Sequence, residues 1–521
     1  MRQYIFLFLL SIQCFCVAQN QTVGVLQYSQ DTYDGYTLFS PSRDTYLIDN
    51  CGNKINTWSS NYQAGGSVYL LEDGLLLRTN RVNENSIFEG GGIGGALEKL
   101  DWDGNVVWSY SYNSPVFHQH HDIEPMPNGN ILILAWELKT YQESIQSGRD
   151  SNLLEDDMLW PEHIIEINPI GTDSAAIVWE WHLWDHLIQD YDSSKDNYGV
   201  ISSNPQLLNI NYVGPGQNVI NGPADWIHAN SIDYNSELDQ IVISSRALSE
   251  FWIIDHSTTT LEAASSTGGN SGMGGDFLYR WGNPIAYNQG LNEDRLLFGQ
   301  HDVQWIDAGL PGYGNILLFN NGRNRPEGNF STIDEISLPL IGFNYTISNS
   351  GTFGPLEKEW SYMASNPFDF FADHISGCQR LDNGNTLICD GPQGVFFEVD
   401  NIGNTVWEYI NPVFGNTIIN QGDEPVNDKL PQGVFSNSVF RCSKIDLDFI
   451  GLGAVDLSPT SPIEGPPYIY PDICSNLSVD LYAPQIKAFQ SIDLLGRLSK
   501  ESPITIQLFS DGSVQKYFTI K

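Results

Sequence analysis

The feature of this 521-residue chain that most restricts its fold is a turn that keeps coming back. Pro127-Asn128-Gly129-Asn130 precedes the apolar run Ile131 to Trp136, Gly312-Tyr313-Gly314-Asn315 precedes Ile316 to Phe319, and Asp382-Asn383-Gly384-Asn385 precedes Thr386 to Cys389. A second pattern, a turn followed by Val-Trp, occurs from Gly104 to Tyr112, from Gly171 to Trp181 and from Gly403 to Tyr409. Asn-Gly turns followed by β-branched and aromatic runs are hairpin signals. No long helical periodicity lies between them. Many small hairpins without crossover helices predict an all-β chain built by radial repetition, a β-propeller, whose strand edges stay short and protected. Residues 60–450 hold roughly six blades at about 40–50 residues each, the usual length of such a repeat. A pair of β-sandwiches is the competing architecture.

The ends of the chain read differently. Arg2, the apolar stretch Tyr4 to Leu10 and the small-residue ending Cys16-Val17-Ala18 form a signal-peptide pattern over residues 1–18. No later apolar run reaches the roughly 20 residues of a membrane span. Residues 19–59 are expected as an N-terminal β segment, 60–450 as the propeller, the Pro-rich stretch within 451–467 as a linker, and 468–521 as a small β-sandwich-like module. Cys378 and Cys389 flank Asn383-Gly384. Read as a two-residue turn, that dipeptide sets the two cysteines opposite each other, where an oxidising compartment allows a cross-strand disulfide.

The formal charge is −39, from 63 acidic and 24 basic residues. A field of that sign disfavours nucleic acid and anionic membranes. It also repels an anionic substrate at a distance, so any anion site must be local. Histidine is scarce, with ten in the chain, and several sit at the start of apolar runs. Imidazole serves as nucleophile, base or cation near neutral pH. The chain has no His-Glu-x-x-His signature, no Cys-x-x-Cys pair and no Gly-rich phosphate loop. No metal ligands are assigned and no cofactor is required. Spacing leaves open a three-histidine metal site assembled from different blades, and a structural calcium in the channel.

Four motifs then occur in a telling order. They are His120-His121-Asp122-Ile123-Glu124, His228-Ala229-Asn230-Ser231, Ser244-Ser245-Arg246 and Gln300-His301-Asp302, followed by Phe319-Asn320-Asn321-Gly322 and by Ser376-Gly377-Cys378 with its Asp382-Asn383-Gly384-Asn385 turn. This series, over about residues 95 to 415, resembles the bacterial arylsulfate sulfotransferase family. The resemblance implies a ping-pong transfer. His301 attacks the sulfur of a phenolic sulfate, a sulfohistidine forms, and a phenolic acceptor takes the sulfuryl group without a nucleotide sulfate donor. It further implies that Arg246, His228 and Asn230 donate to sulfate oxygens. His121 is preferred over His120 for the leaving phenolate or the sulfate, and Trp and Tyr residues stack on the aryl ring. His118 and His374 are plausible neighbours of the pocket. The residues alone leave two other readings open: a non-catalytic propeller that binds glycans, and a metal-assisted hydrolase or lyase acting on acidic or sulfated polysaccharide.

Two stretches depart from that pattern. The region before residue 95 is short for a separate N-terminal domain. Val178 to His186 is dense in aromatics and histidine, suiting either a pocket entrance or a packing hairpin. The C-terminal stretches Asp493 to Arg497 and Asp511 to Lys521 resemble the sorting domain of the type IX secretion system of Bacteroidetes. That resemblance implies passage through the periplasm to the cell surface or medium, with secretion machinery as partner. Exported protein is expected to begin at about residue 19 or 20 on N-terminal sequencing; export with Met1 retained contradicts the signal-peptide reading.

Overall fold

The computed structural model describes residues 21–82, 87–214, 224–349, 351–423, 437–453, 455–466, 468 and 470–477, with three further strands beyond them. The expected signal peptide lies outside the described residues. The chain divides into two units, Met1–Ile469 and Tyr470–Lys521.

The first unit is a six-bladed propeller. Blade 1 orders Cys442–Asp446, Gly35–Phe39, Asp44–Ile48 and Lys54–Ser59 from the axis outward, and blade 2 orders Ala64–Leu70, Leu76–Arg81, Gly95–Leu100 and Val106–Ser111. Blade 3 is Phe117–Pro125, Ile131–Glu137, Glu162–Ile170 and Ser174–His182; blade 4 is Ala229–Asn235, Gln240–Ser245, Glu250–Asp255 and Tyr279–Trp281. Blade 5 is His301–Trp305, Ile316–Asn320, Thr332–Ile336 and Trp360–Tyr362; blade 6 is Gly377–Arg380, Thr386–Asp390, Val395–Val399 and Thr405–Ile410. The strands of residues 24–59 do not precede the propeller as a separate segment. Gly24–Tyr28 pairs on the outer edge of blade 6, and the next three complete blade 1 around the C-terminal strand Cys442–Asp446. Their edges are satisfied by pairing there. The stretch expected as a linker is likewise tied to blade 1, where Thr460 donates to the Lys54 carbonyl at 2.8 Å and Ile463 is buried.

The apolar runs are continuous because each blade is covered on both faces. Ile131 and Ile133 pack towards blade 2 while Leu132 and Leu134 pack towards blade 4. Ile241 and Ile243 face blade 3, and Val242 faces blade 5. The same alternation separates Leu317 and Phe319 from Ile316 and Leu318. Separate apolar clusters fill the six blade-to-blade contacts, with Trp58 between blades 1 and 2 and Trp407 between blades 6 and 1.

The recurring turn is a three-residue loop rather than a two-residue one. Met126 and Leu381 each donate from the main chain to the residue four positions on, at 2.9 Å, and Gly129 and Gly384 bond back to them with φ of 85° and 88°. This is the hairpin that places a left-handed glycine at its third loop position. The extra residue moves the register by one, so Gly377 pairs with Cys389 and Cys378 with Ile388. A one-residue shift sends side chains to opposite faces. Cys378 points to blade 5 and Cys389 to blade 1, and both are free thiols, which overturns the expected cross-strand disulfide.

Around the axis the inner strands are linked in a closed ring. Tyr69 of blade 2 donates to Ile123 O at 2.8 Å, Ile232 N of blade 4 donates to Asp122 of blade 3 at 3.2 Å, and Trp305 N of blade 5 donates to Asp233 at 2.7 Å. Cys378 N of blade 6 donates to Asp302 at 2.8 Å, and Lys444 N of blade 1 donates to Gln379 at 2.6 Å. Arg441 closes the ring. Its guanidinium bonds both Asp122 oxygens at 2.9 and 2.6 Å, Asp302 at 2.8 Å, and the Tyr69 hydroxyl. Burial opposes its charge, but Asp122, Tyr69 and Asp302 raise its pKa above the usual arginine value.

The second unit holds a short helix, Asp472–Leu477, and a three-stranded antiparallel sheet in the order Ala488–Ile492, Ile504–Phe509, Val514–Phe518. Among the described residues no helix is long and apolar enough to cross a membrane.

Arg441→Ala leaves two buried carboxylates facing each other without their counter-charge. Breaking such a pair costs about 3–5 kcal/mol, so urea unfolding is expected to move to a markedly lower midpoint; an unchanged midpoint contradicts the closing role.

Candidate functional site

Three inner strands begin with the same irregularity. In blade 3 Ile123 pairs with Ile133 and Gln119 with Ala135, so residues 120 to 122 stand opposite Leu134 alone. In blade 4 Asn230 is the extra residue between Ala229 and Ser231, and in blade 5 Asp302 and Val303 stand opposite Leu318. Bulges of this kind re-aim side chains. Each contains or adjoins a left-handed residue that is not glycine: His121 at φ 50°, His228 at 49° and Asp302 at 52°. Asp and His tolerate that conformation better than most residues, yet it carries strain, which concentrates at functional sites.

The bulges bring His121, His228 and His301 together with Arg246, and a cavity of about 410 Å³ lined by Tyr69, Asp302, Arg441 and Lys444 includes none of the four. The His121 and His228 rings lie 4.8 Å apart, and Arg246 N donates to His228 O at 3.1 Å. The four side chains sit in residues only 3, 6, 5 and 2% exposed, in the order His121, His228, Arg246, His301. Such enclosure makes desolvation the leading electrostatic effect. It drives His301 well below the usual imidazole range, and Arg246 and His228 push the same way against the opposing bond to Asn321. Burial first, then His228, His120, His301 and Arg246, hold His121 well below that range too. Arg246 is pushed down to about 10 by burial and by Arg323, and so stays charged at neutral pH.

Hydrogen bonds settle which nitrogen of His301 carries its proton. Asn321 Nδ2 donates to Ala372 O at 2.9 Å and Ile375 O at 3.0 Å, so its Oδ1 must be the acceptor for His301 Nδ1 at 2.7 Å. The neutral ring therefore keeps a lone pair on Nε2, the form a nucleophile requires. His228 donates from Nδ1 to Asp225 at 2.5 Å. Asn230 does different work from that expected of it: its Nδ2 donates to Gln300 O at 2.7 Å and so fixes the residue before His301. Among the described residues the Arg246 guanidinium has no hydrogen-bonded acceptor, though it is almost wholly buried.

Of the two adjacent histidines, His121 faces His228. His120 stacks on Trp136 at 4.0 Å and lies 2.7 Å from Glu162. His118 packs against Phe88 and His374 is an exposed partner of Asp373. The aromatic stretch Val178 to His186 is packing. Trp181 donates to Gly275 O at 2.8 Å, His186 pairs with Asp276 at 2.7 Å, and Trp179 contacts His256. Phe440 and Trp136 border the histidines.

Several residues of the site carry no motif in the sequence: Asp225, Glu162, Arg323, Phe440, Arg441 and Gly92. Gly92 has φ 73°, and a Cβ there would lie 2.2 Å from the His121 ring. The run Gly90-Gly91-Gly92 next to Ile93-Gly94-Gly95 is the signal that was available for it.

A family model described as arylsulfotransferase (ASST) matches residues 26–429. The arylsulfate sulfotransferase AssT of Escherichia coli is 26% identical over 330 residues, which make up 58% of this chain and 50% of that protein. The chain thus spans about half the length of the curated relative it matches. Among solved structures, a protein of unknown function from Bacteroides caccae is 12% identical with a TM-score of 0.39, over 79% of this chain and 99% of that one. A virginiamycin B lyase from Staphylococcus aureus is 10% identical with a TM-score of 0.34, over 82% and 100%. Likenesses this distant carry no argument about activity.

A buried guanidinium with no hydrogen-bonded acceptor beside three histidines has the donor chemistry that suits a tetrahedral oxyanion. Inorganic sulfate at millimolar concentration is expected to raise the thermal midpoint of the protein saturably, and Arg246→Ala to remove that response. An equal response in both proteins would show only the general effect of sulfate on protein surfaces.

Proposed function

The chain belongs to the arylsulfotransferase family, and on that premise we propose that it moves a sulfuryl group from a phenolic sulfate ester to a phenolic acceptor, by a ping-pong cycle through a sulfohistidine on His301. The observation that carries this reading is the paired arrangement of a neutral His301 with a lone pair on Nε2 and an Arg246 guanidinium without a hydrogen-bonded acceptor.

In the first half-reaction His301 Nε2 attacks sulfur and the S–O bond to the aryl group breaks. Its electron pair leaves on the phenolate, which takes up a proton. In the second half the acceptor phenol gives up its proton, its oxygen attacks the same sulfur, and the N–S bond returns its pair to His301. Neutral imidazole can attack only while it stays unprotonated, which burial ensures. Negative charge on the sulfuryl oxygens is met by Arg246 and by the histidines around it. A single preorganised donor of that kind is worth about 10²–10³-fold in turnover. Asn230 contributes through Gln300 by holding the His301 backbone. His228, with Nδ1 committed to Asp225, is suited to exchange a proton with the departing or arriving phenol.

Export belongs to the same proposal. It is supported by the leader pattern at residues 1–18 and by Cys51, which takes part in a disulfide, a bond of oxidising compartments. Passage onward to the surface by way of the C-terminal unit rests on the sequence resemblance alone.

Incubation with a chromogenic aryl sulfate is expected to release the chromophore in a phenol-dependent way, without added metal. His301→Ala is expected to abolish release with the fold intact, and Arg246→Ala to lower it about 10²–10³-fold. Metal-dependent release would support hydrolase chemistry instead, and no turnover across a broad donor panel would favour a binding propeller.

A further inference from the structure

Behind His121 lies a chain of polar groups to which the transfer steps above assign no part. Glu162 Oε1 accepts from Ala229 N at 2.8 Å, and Glu162 Oε2 lies 2.7 Å from His120 Nε2. His120 Nδ1 lies 2.8 Å from His121 Nδ1. Glu162 and His120 are fully buried, and the His120 ring is clamped flat on Trp136. Two nitrogens at that distance share one proton, and burial keeps both rings from taking a second one, so the chain has two consistent directions. Either a carboxylate accepts from His120 Nε2–H and His121 donates from Nδ1, or a protonated carboxyl donates to His120 Nε2 and every bond runs towards His121. The first leaves His121 Nε2 as a lone pair; the second leaves it as an N–H.

We propose that Glu162 is a proton-carrying positioning residue: its O–H donates to His120 Nε2, His120 Nδ1–H donates to His121 Nδ1, and His121 therefore presents Nε2–H to the sulfuryl oxygens as a neutral donor. The surroundings favour this direction. Asp225, already a hydrogen-bond acceptor for His228, acts on Glu162, and burial together with Asp225 raises its carboxyl well above the usual range. On the other side burial above all opposes a positive ring at His120 and at His121, and Arg246 adds its charge against the second. A neutral donor is also the better partner there. An uncharged N–H adds a hydrogen bond to the oxyanion without placing a second cation against Arg246. The role assigned to His121 rests on the proposed sulfuryl transfer; the direction of the relay does not.

The backbone makes the direction testable. In Glu162→Gln the amide oxygen must take Ala229 N, which leaves the amide N–H₂ facing His120 Nε2. That copies the protonated carboxyl and opposes the ionised one. Glu162→Ala is expected to lose about 10²–10³-fold in turnover of an aryl sulfate, the loss typical of a missing oxyanion donor. Glu162→Gln is expected to rescue most of that loss. Glu162→Gln as poor as Glu162→Ala, in protein that melts like the wild type, overturns the proposal. Ring nitrogens observed by NMR in the full chain with ¹⁵N-labelled histidine supply a readout that needs neither turnover nor a variant. His121 is expected to show a protonated Nε2 and an unprotonated Nδ1, and the reverse pattern overturns the relay even if the transfer activity stands. Absent transfer activity with the expected ring pattern would instead count against the proposed function and leave the relay in place.

Discussion

The ion pairing of Arg441 with Asp122 and Asp302 is the constraint on which the rest depends. Arg441 immediately precedes the strand Cys442–Asp446, which the chain contributes to blade 1 only after completing the other five. Its two carboxylate partners immediately follow His121 and His301. One guanidinium thus closes the ring and anchors the residue that follows each histidine; of the left-handed positions it holds Asp302 directly and His121 through its neighbour Asp122. The site is a product of ring closure: its parts lie in three blades and its foundation in a fourth.

Around the histidines the electrostatics invert the character of the whole molecule. A chain with formal charge −39 places one buried guanidinium with no hydrogen-bonded acceptor beside His121 and His301, which burial keeps neutral. Water is nearly excluded, so each donor acts on developing charge with little screening. Long-range attraction of an anion is given up, and selectivity is left to what fits the enclosed space.

The architecture was legible because propeller blades are local. Each is read from adjacent hairpins, and the continuous apolar runs follow from coverage on both faces. Register was not legible to the same degree. Asn383-Gly384 suits a two-residue turn, but the loop takes three residues, and that single step separates Cys378 from Cys389. The place of the strands before residue 60 was not legible because the first two pair with Trp407 and Lys444, roughly 400 residues away. In the site, His121, His228, Arg246 and His301 stood out because they occur in ordered motifs. Glu162, Asp225 and Arg441 did not, since each acts on another side chain across blades and has no local pattern. A buried Asp next to a buried His demands a counter-charge, and with 24 basic residues in the chain that demand was the one available pointer to Arg441.

The central claim is that the sulfuryl group rests covalently on His301. Intact-mass measurement after adding an aryl sulfate donor with no acceptor, at alkaline pH and with rapid sampling, tests it most directly. The account predicts a single added sulfuryl group that peptide mapping places on His301 and that disappears when phenol is supplied. An adduct on His121 or His228 would keep the chemistry and contradict the assignment, and an active protein with no adduct would contradict the covalent mechanism itself.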